Sequence, residues 1–243
     1  MIINSNHYCF HVKENSFAHK NIDYIIKTQE DSFSKITRLL NYKTSLLINY
    51  HFTDTPEECG NQFNAFLQRE NCETIPSFKT NAFAWYPDII YATFNSSITA
   101  IGCHEDTHLI AYDCFKKISR RFLVEGIAVA MDEYWQGKTL YKWAKYLYSN
   151  EIIESIIDIT EDEQFNNHSD MITYPLAGSF CLWYIQVKGI DKFKNLYMEP
   201  EHSINNSYFI KEYEEYKDMI KGTYISENES IDFQRIISNS VLS

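Results

Sequence analysis

The chain has 243 residues, of which 44% are hydrophobic and 16% aromatic, so it can bury a sizeable core, and this composition excludes an intrinsically disordered protein. Its formal net charge of −11 at pH 7 argues against nucleic acid or an anionic membrane as a partner, although an acidic surface is also a common route to solubility. No apolar run reaches the roughly 18 residues that a transmembrane helix needs, so no membrane partner is expected.

The start of the chain and its cysteines favour a reducing, cytoplasmic compartment. The N-terminal residues lack the basic region and the apolar run of a signal peptide, while secretion by another route remains open. The six cysteines include no C-x-x-C pair. Cys103, Cys114 and Cys181 lie in apolar runs, which predicts buried thiols, whereas Cys59 and Cys72 could pair in an oxidising compartment.

Strands and helices are both predicted in the N-terminal part of the chain. The alternating, aromatic segment His7–Val12 predicts a strand, and the apolar spacing within Ile22–Leu40 predicts a helix. Segment Ser45–Phe52 has strand character, and Ala82–Thr93 predicts one or two strands broken at Pro87.

A mostly buried helix is predicted from Ile98 to Lys116, because apolar residues recur there near helical spacing and no proline interrupts them. Ser96 or Ser97 is a good cap for the start of this helix. Gly102 and Cys103 are small, so another element could pack closely against its first turn.

The remainder of the chain is predicted to be nearly all helical. Apolar spacing predicts helices at Ser119–Trp135 and Leu140–Tyr148, whereas the acidic segment Asp158–Asp170 is typical of a loop. Two terminal helices are predicted at Tyr208–Met219 and Ile231–Ile237.

This order of elements predicts an α+β fold. One domain is expected over residues 1–243, with a mixed α/β lobe that contains a small sheet at residues 1–97 and a mainly helical lobe at residues 98–243. The helix predicted at Ile98–Lys116 would lie where the two lobes meet.

That helix contains the motif H-E-x-x-H, as His104-Glu105-Asp106-Thr107-His108. Positions i and i+4 lie on one face of a helix, so two imidazoles could hold one metal ion there. Glu105 is close enough to reach a water on that ion, which is the arrangement needed for zinc-assisted hydrolysis. The alternative is accident, since the motif arises by chance in roughly two of a hundred chains of this composition.

Glu125 is the best candidate for a third ligand, because a catalytic zinc ion usually has three protein ligands and one open position. It is a lone glutamate within an apolar helical run, where an unpaired carboxylate is costly. The alternative is a salt bridge to Arg120 or Arg121, or partial exposure at the start of the helix. Gly126 would let this second helix approach the first.

With Glu125-Gly126-Ile127-Ala128 following the first motif, the chain resembles the gluzincin metallopeptidases, the peptidase MA-like group that includes thermolysin and the zinc aminopeptidases. A later segment that begins at Tyr174-Pro175-Leu176 and continues to Gly189 is similar to the family's tyrosine followed by a small-residue helix. The opening strand and long helix also look like those of the family.

The resemblance implies a zincin-like fold and the hydrolysis of peptide bonds in a peptide or protein substrate. His104, His108 and Glu125 would bind one zinc ion, and Glu105 would act as the general base and proton shuttle. Tyr174 would stabilise the developing oxyanion, although a tyrosine at such a position can equally be a core or capping residue.

Two departures from the family pattern limit the resemblance. The Gly-x-Met-Glu-Asn segment, with which zinc aminopeptidases recognise a free amine, is absent. Val129 stands where thermolysin-like enzymes have an aspartate that orients a histidine, so Asp132 or a backbone carbonyl would have to serve instead. The resemblance also implies that the strand before the motif helix, Ala82–Trp85 or Ile89–Tyr91, binds an extended peptide by edge addition; the alternative is an ordinary internal strand.

Alternatives to the enzyme remain. The chain could be a catalytically inactive zincin-like binding or regulatory module, although the intact Glu105 argues against this because a module needs the ligands but not the base.

His168 could assist Tyr174 but is better interpreted as a solvated loop histidine. The remaining histidines show no ligand-like spacing and are assigned no chemistry; they are His7, His11, His19, His51 and His202.

Overall fold

The computed structural model describes residues 1–198 and 207–240, and the chain forms two compact units, residues 1–116 and 117–243. His202 lies outside the described residues. The chain is α+β, as predicted, since the first unit carries a mixed sheet and the second is helical apart from a small hairpin. The helix with the H-E-x-x-H motif belongs to the first unit, whereas the sequence assigned it to the helical lobe. Along the described ranges, no helix is both long and apolar enough to cross a membrane.

The first unit is built around one five-stranded sheet. Its elements, in chain order, are β1 (Ile2–Asn4), β2 (Tyr8–His11), α1 (Phe17–Lys20), α2 (Ile22–Leu39), β3 (Ile48–Thr53), α3 (Pro56–Arg69), β4 (Ala82–Trp85), β5 (Ile89–Thr93) and α4 (Cys103–Phe115). The strand order is β1-β2-β3-β5-β4, with β2, β3 and β5 parallel and both edge strands antiparallel to their neighbours. The strands and the long helix predicted before Thr93 are therefore confirmed, and Pro87 lies between β4 and β5.

One face of the sheet is fully buried because successive side chains of a strand point to opposite faces. The buried aromatic residues Tyr8 and Tyr50 belong to this face, together with Phe10, Ile48, Ile90 and Ala92. Tyr8 contacts Phe33 of α2 and hydrogen-bonds Asp106 of α4, so these two helices cover the buried face. The motif helix is thereby fixed against the sheet.

The opposite face carries a row of rings, one from each of four adjacent strands. His11, His51, Tyr91 and Phe83 are neighbours in the strand register. Successive ring centroids lie 4.0, 4.6 and 5.4 Å apart, and successive ring planes differ by only 13°, 11° and 9°. Burial and, to a lesser extent, the neighbouring His11 lower the pKa of His51 from 6.5 to about 4.

This lowered pKa predicts a pH-dependent loss of stability. Between pH 6.5 and pH 4 the unfolded chain protonates His51 and the folded chain does not, so the free energy of unfolding should fall as the pH falls through that window. We expect a loss of about 2 kcal/mol at most, because His51 is only partly buried. Urea unfolding of the wild type and of His51→Gln at pH 7.5 and at about pH 5 checks this: the variant should lose less stability on acidification. An equal loss in both proteins would contradict the assignment.

The motif helix starts later than predicted. Helix α4 begins at Cys103, not at Ile98, and its N-cap is Gly102 with a φ of +133°, so neither Ser96 nor Ser97 caps it. The preceding segment instead forms a tight turn in which the Asn95 side chain accepts backbone hydrogen bonds from Ser97 and Ile98, both at 2.8 Å. This turn competes with the helix for the same backbone groups.

The second unit is a helical assembly. Its elements are α5 (Arg121–Asp132), β6 (Tyr134–Trp135), β7 (Lys138–Thr139), α6 (Leu140–Ser149), a 3-10 helix (Ile156–Ile159), α7 (Asp162–Asn167), α8 (Asp170–Lys188), α9 (Ile190–Met198), α10 (Ser207–Lys221) and α11 (Glu227–Ser240). The predicted helices at Ser119–Trp135 and Leu140–Tyr148 and the two terminal helices are confirmed, although with shifted ends.

The loop predicted at Asp158–Asp170 is wrong in part, because this segment contains the end of the 3-10 helix and all of α7. Long-range contacts hold this polar segment in place. The buried guanidinium of Arg120 hydrogen-bonds Glu161, and the backbone N–H of Arg121 donates to Asp162 at 2.7 Å. A short helix that is stabilised by such partners shows little apolar periodicity of its own.

Helices α5 and α8 pack closely through two glycines. A Cβ atom added at Gly126 would lie 2.6 Å from the sulfur of Cys181 and 3.0 Å from the carbonyl oxygen of Ala177. A Cβ added at Gly178 would lie 2.5 Å from a methyl carbon of Val129. The sequence predicted that Gly126 would let the motif helix approach α5, but the residues that crowd it belong to α8.

We therefore expect Gly126→Ala to destabilise the protein by about 1–2 kcal/mol, because overpacking at this contact outweighs the better helix propensity of alanine. Urea unfolding measures the difference in free energy. Gly222→Ala is the matched control, since the added Cβ would meet its nearest atom at 3.4 Å, an ordinary contact. A Gly126→Ala protein as stable as the control would contradict the packing.

Candidate metal centre

Helix α4 leaves three residues of the motif partly exposed and buries the other two. His104, Glu105 and His108 are half-buried, whereas Asp106 and Thr107 are fully buried. The two imidazole rings lie with centroids 4.9 Å apart and nearly perpendicular planes, as the spacing of four residues requires. The sequence prediction that both histidines share one helix face is therefore confirmed.

Among the described residues is a group that could hold a metal ion, and its members are the two histidines and the predicted third ligand. His104, His108 and Glu125 each offer one ligand atom, and the three atoms lie within 4.8 Å of one another. In a tetrahedral zinc site the bonds are about 2.0–2.2 Å for nitrogen and oxygen, so ligand atoms lie about 3.5 Å apart. Two imidazoles and a carboxylate provide the donor chemistry of a zinc site, and their separations of up to 4.8 Å are somewhat wider than those around a bound ion.

Glu125 also has the partner that the alternative interpretation named. The Nε atom of Arg121, one turn earlier on α5, lies 3.8 Å from a carboxylate oxygen of Glu125. Arg120 instead pairs with Glu161. The ion pair is long and the Arg121 side chain is 43% exposed, so it contributes little to stability.

Tyr174 lies inside α8 and not before it, since that helix begins at Asp170. Its phenol oxygen accepts a hydrogen bond from Nη2 of Arg121 at 3.4 Å, and its ring contacts Trp135 and Phe165. Burial first, and the Glu125 carboxylate second, raise the pKa of Tyr174 well above its usual value of 10.0. The hydroxyl is therefore protonated at neutral pH and can act as a hydrogen-bond donor.

A buried polar cluster fixes the first turn of α4, and sequence reasoning did not find it. Nε2 of Gln29 in α2 donates to a carboxylate oxygen of Asp106 at 3.0 Å, and the hydroxyl of Tyr8 donates to the same oxygen. The Gly102 N–H donates to Oε1 of Gln29 at 2.8 Å, and the Gly102 carbonyl accepts from Nε2 at 3.3 Å. Gln29, Tyr8 and Asp106 are each completely buried.

Signals for this cluster exist in the sequence. Gln29 lies in the apolar stripe of α2, four residues after Ile25 and four before Phe33, where a polar residue needs a buried partner. Asp106 is a carboxylate in the first turn of a helix whose other buried residues are mostly apolar. What the sequence does not give is that these two residues, 77 positions apart, meet.

The structure establishes neither the orienting role suggested for Asp132 nor the role suggested for His168 beside Tyr174. Val129 is completely buried and packs at Gly178, so it offers no polar group. Asp132 is exposed at the end of α5. His168 is half-buried, with Nδ1 at 2.8 Å from the carbonyl oxygen of Gln164. The role suggested for Asp132 stays a prediction.

A cavity of about 530 Å³ lies elsewhere in the first unit. It is lined by His11, His51 and Tyr91 from the row of rings, and by the strand ends at Lys13 and Asp54. No residue of the motif or of the predicted ligand set lines it, and the ring contacts already described account for its histidines.

Comparison of the chain with protein-family models, with curated proteins and with solved structures gives no match in any of the three.

Proposed function

We propose that the chain is a zinc-dependent hydrolase that cleaves peptide bonds, with a gluzincin-type site on a zincin-like fold. The observation that carries this proposal is the convergence of ligand atoms from His104, His108 and Glu125 to within 4.8 Å, with Glu105 on the same helix as the two histidines.

The residues have distinct roles in the proposed reaction. His104, His108 and Glu125 hold the zinc ion. A bound zinc ion lowers the pKa of its water toward neutrality and polarises a carbonyl group. Glu105 takes the proton of the attacking water and passes it to the leaving amine. Tyr174, held by Arg121 and protonated at neutral pH, donates a hydrogen bond to the oxygen of the reacting carbonyl.

The sheet offers a place for an extended substrate. Strand β4 is an edge strand, whereas β5 is hydrogen-bonded to β3 on one side and to β4 on the other. Of the two strands named from the sequence, only β4 therefore has an edge to which a peptide could add. Helix α4 packs against β4, which keeps that strand beside the motif.

Removal and return of the metal test the proposal. We expect the purified protein to contain one zinc ion per chain and to cleave members of a broad peptide library. Dialysis against a chelator should abolish cleavage, and one equivalent of zinc should restore it, because metal affinity and activity depend on the same three ligands. A metal-binding protein that cleaves nothing would support the non-catalytic module, and a protein that binds no metal would overturn both interpretations.

A further inference from the structure

We infer that Gln29 is a positioning residue for the metal centre: it fixes the first turn of α4 and, through that turn, the direction of His104 and His108. The effect of Gln29 on metal binding rests on the proposed function, whereas its hydrogen bonds to α4 and to Gly102 do not. Gln29 lies in α2, and its side chain touches neither histidine in the contacts described above.

The start of α4 depends on this outside partner. The first N–H groups of a helix have no partner inside the helix, and a side chain at the N-cap usually satisfies one of them. Gly102, the N-cap of α4, has no side chain to do so. Gln29 instead hydrogen-bonds the backbone of Gly102 on both sides: its Oε1 accepts from the Gly102 N–H, and its Nε2 donates to the Gly102 carbonyl oxygen. The amide thus holds the chain where it enters the helix, one residue before Cys103.

The hydrogen bond from Gln29 to Asp106 also fixes the rotation of α4 about its own axis. Each helical residue turns by about 100°, so residues two apart point in roughly opposite directions. Asp106 is two residues after His104 and two before His108. Because Gln29 and Tyr8 anchor the Asp106 carboxylate on the buried side, the two histidines are turned to the other side of α4.

The anchor is strong because it is buried. Burial of a carboxylate in an apolar interior is unfavourable, and hydrogen-bond donors compensate for part of that cost. All three side chains of the anchor are completely buried, so water cannot replace a missing donor at low cost. Loss of Gln29 therefore removes one buried hydrogen bond to Asp106 and two to Gly102, which favours a shifted or frayed first turn.

The test compares Gln29→Met, which keeps most of the side-chain volume, with Ile36→Val, which removes one buried methylene from the same stripe of α2. Both changes destabilise the protein, but only the first removes the hydrogen bonds. Tyr8→Phe is a milder second variant that removes one donor to Asp106 and keeps the ring. Two readouts are taken: amide hydrogen exchange at residues 102–108 in metal-free protein, and titration with cobalt(II), whose visible spectrum reports ligand geometry.

We expect faster exchange at residues 102–106, a roughly 10- to 100-fold weaker cobalt affinity and an altered spectrum in Gln29→Met, a smaller effect of the same kind in Tyr8→Phe, and neither effect in Ile36→Val. Equal exchange and equal affinity in Gln29→Met and Ile36→Val would overturn the inference. If the wild type bound no cobalt, the proposed function would fail, and exchange alone would decide: unchanged exchange in Gln29→Met would overturn the inference and faster exchange would support it.

Discussion

Glu105→Gln should keep the metal and lose nearly all turnover. The amide has almost the same shape as the carboxylate and occupies the same half-buried position on α4, so the ligands and the fold are retained. It cannot accept a proton at neutral pH, and loss of a general base typically lowers kcat by about 100- to 10,000-fold. We expect a loss of about 1,000-fold at unchanged zinc content, measured on the best substrate from the peptide library.

Glu70→Gln is the matched control for this experiment, because Glu70 is an exposed residue at the end of α3 in the same unit. It should leave turnover unchanged. Full activity of Glu105→Gln beside an unaffected control would show that the proton is transferred by another group, and the proposed mechanism would then be wrong.

The second large effect is expected from His108→Ala, which should lose the metal itself. Three protein ligands are the usual number for a catalytic zinc ion, so removal of one imidazole leaves an incomplete set. We expect the zinc dissociation constant, measured by competition with a chromophoric chelator, to rise by more than about 100-fold, and activity to disappear with the metal.

His168→Ala controls for the loss of a half-buried histidine that is not in the ligand set, since His168 lies 2.8 Å from the carbonyl oxygen of Gln164. Zinc bound at one equivalent by His108→Ala would mean that the ligands have been assigned wrongly. Loss of zinc in both variants would point to a general effect on stability.

The sequence was sufficient to predict features that depend on the local spacing of residues. The alternation in β2 and the apolar stripe of α2 gave those elements, and the spacing of His104 and His108 placed two imidazoles on one helix face. Glu125 was named as a candidate ligand because a charge within an apolar run demands a partner. Each of these inferences depends on residues within a few turns of one another.

Features that depend on distant partners were missed or misplaced. The start of α4 was set too early, because Ile98 and Ile101 fit helical spacing while the Asn95 side chain holds the backbone in a turn. Tyr174 was expected before a helix, yet α8 starts at Asp170 and continues through Pro175. A proline usually lies in the first turn of a helix, so the sequence favoured a later start.

The buried cluster shows the same limit at the site itself. Gln29 was out of place in the apolar stripe of α2, but nothing in the spacing of the sequence joined it to Asp106 of α4. Likewise, Gly126 was correctly interpreted as a point of close approach, but the sequence named the motif helix as its neighbour, whereas the structure shows α8.

The central claim is that one zinc ion binds to His104, His108 and Glu125. Anomalous difference density, collected at the zinc absorption edge from crystals grown with one equivalent of zinc, tests it most directly. The account predicts one strong peak per chain at about 2.0–2.2 Å from one atom of each of these three residues. No peak, or a peak bonded to other residues such as His11 and His51, would contradict it.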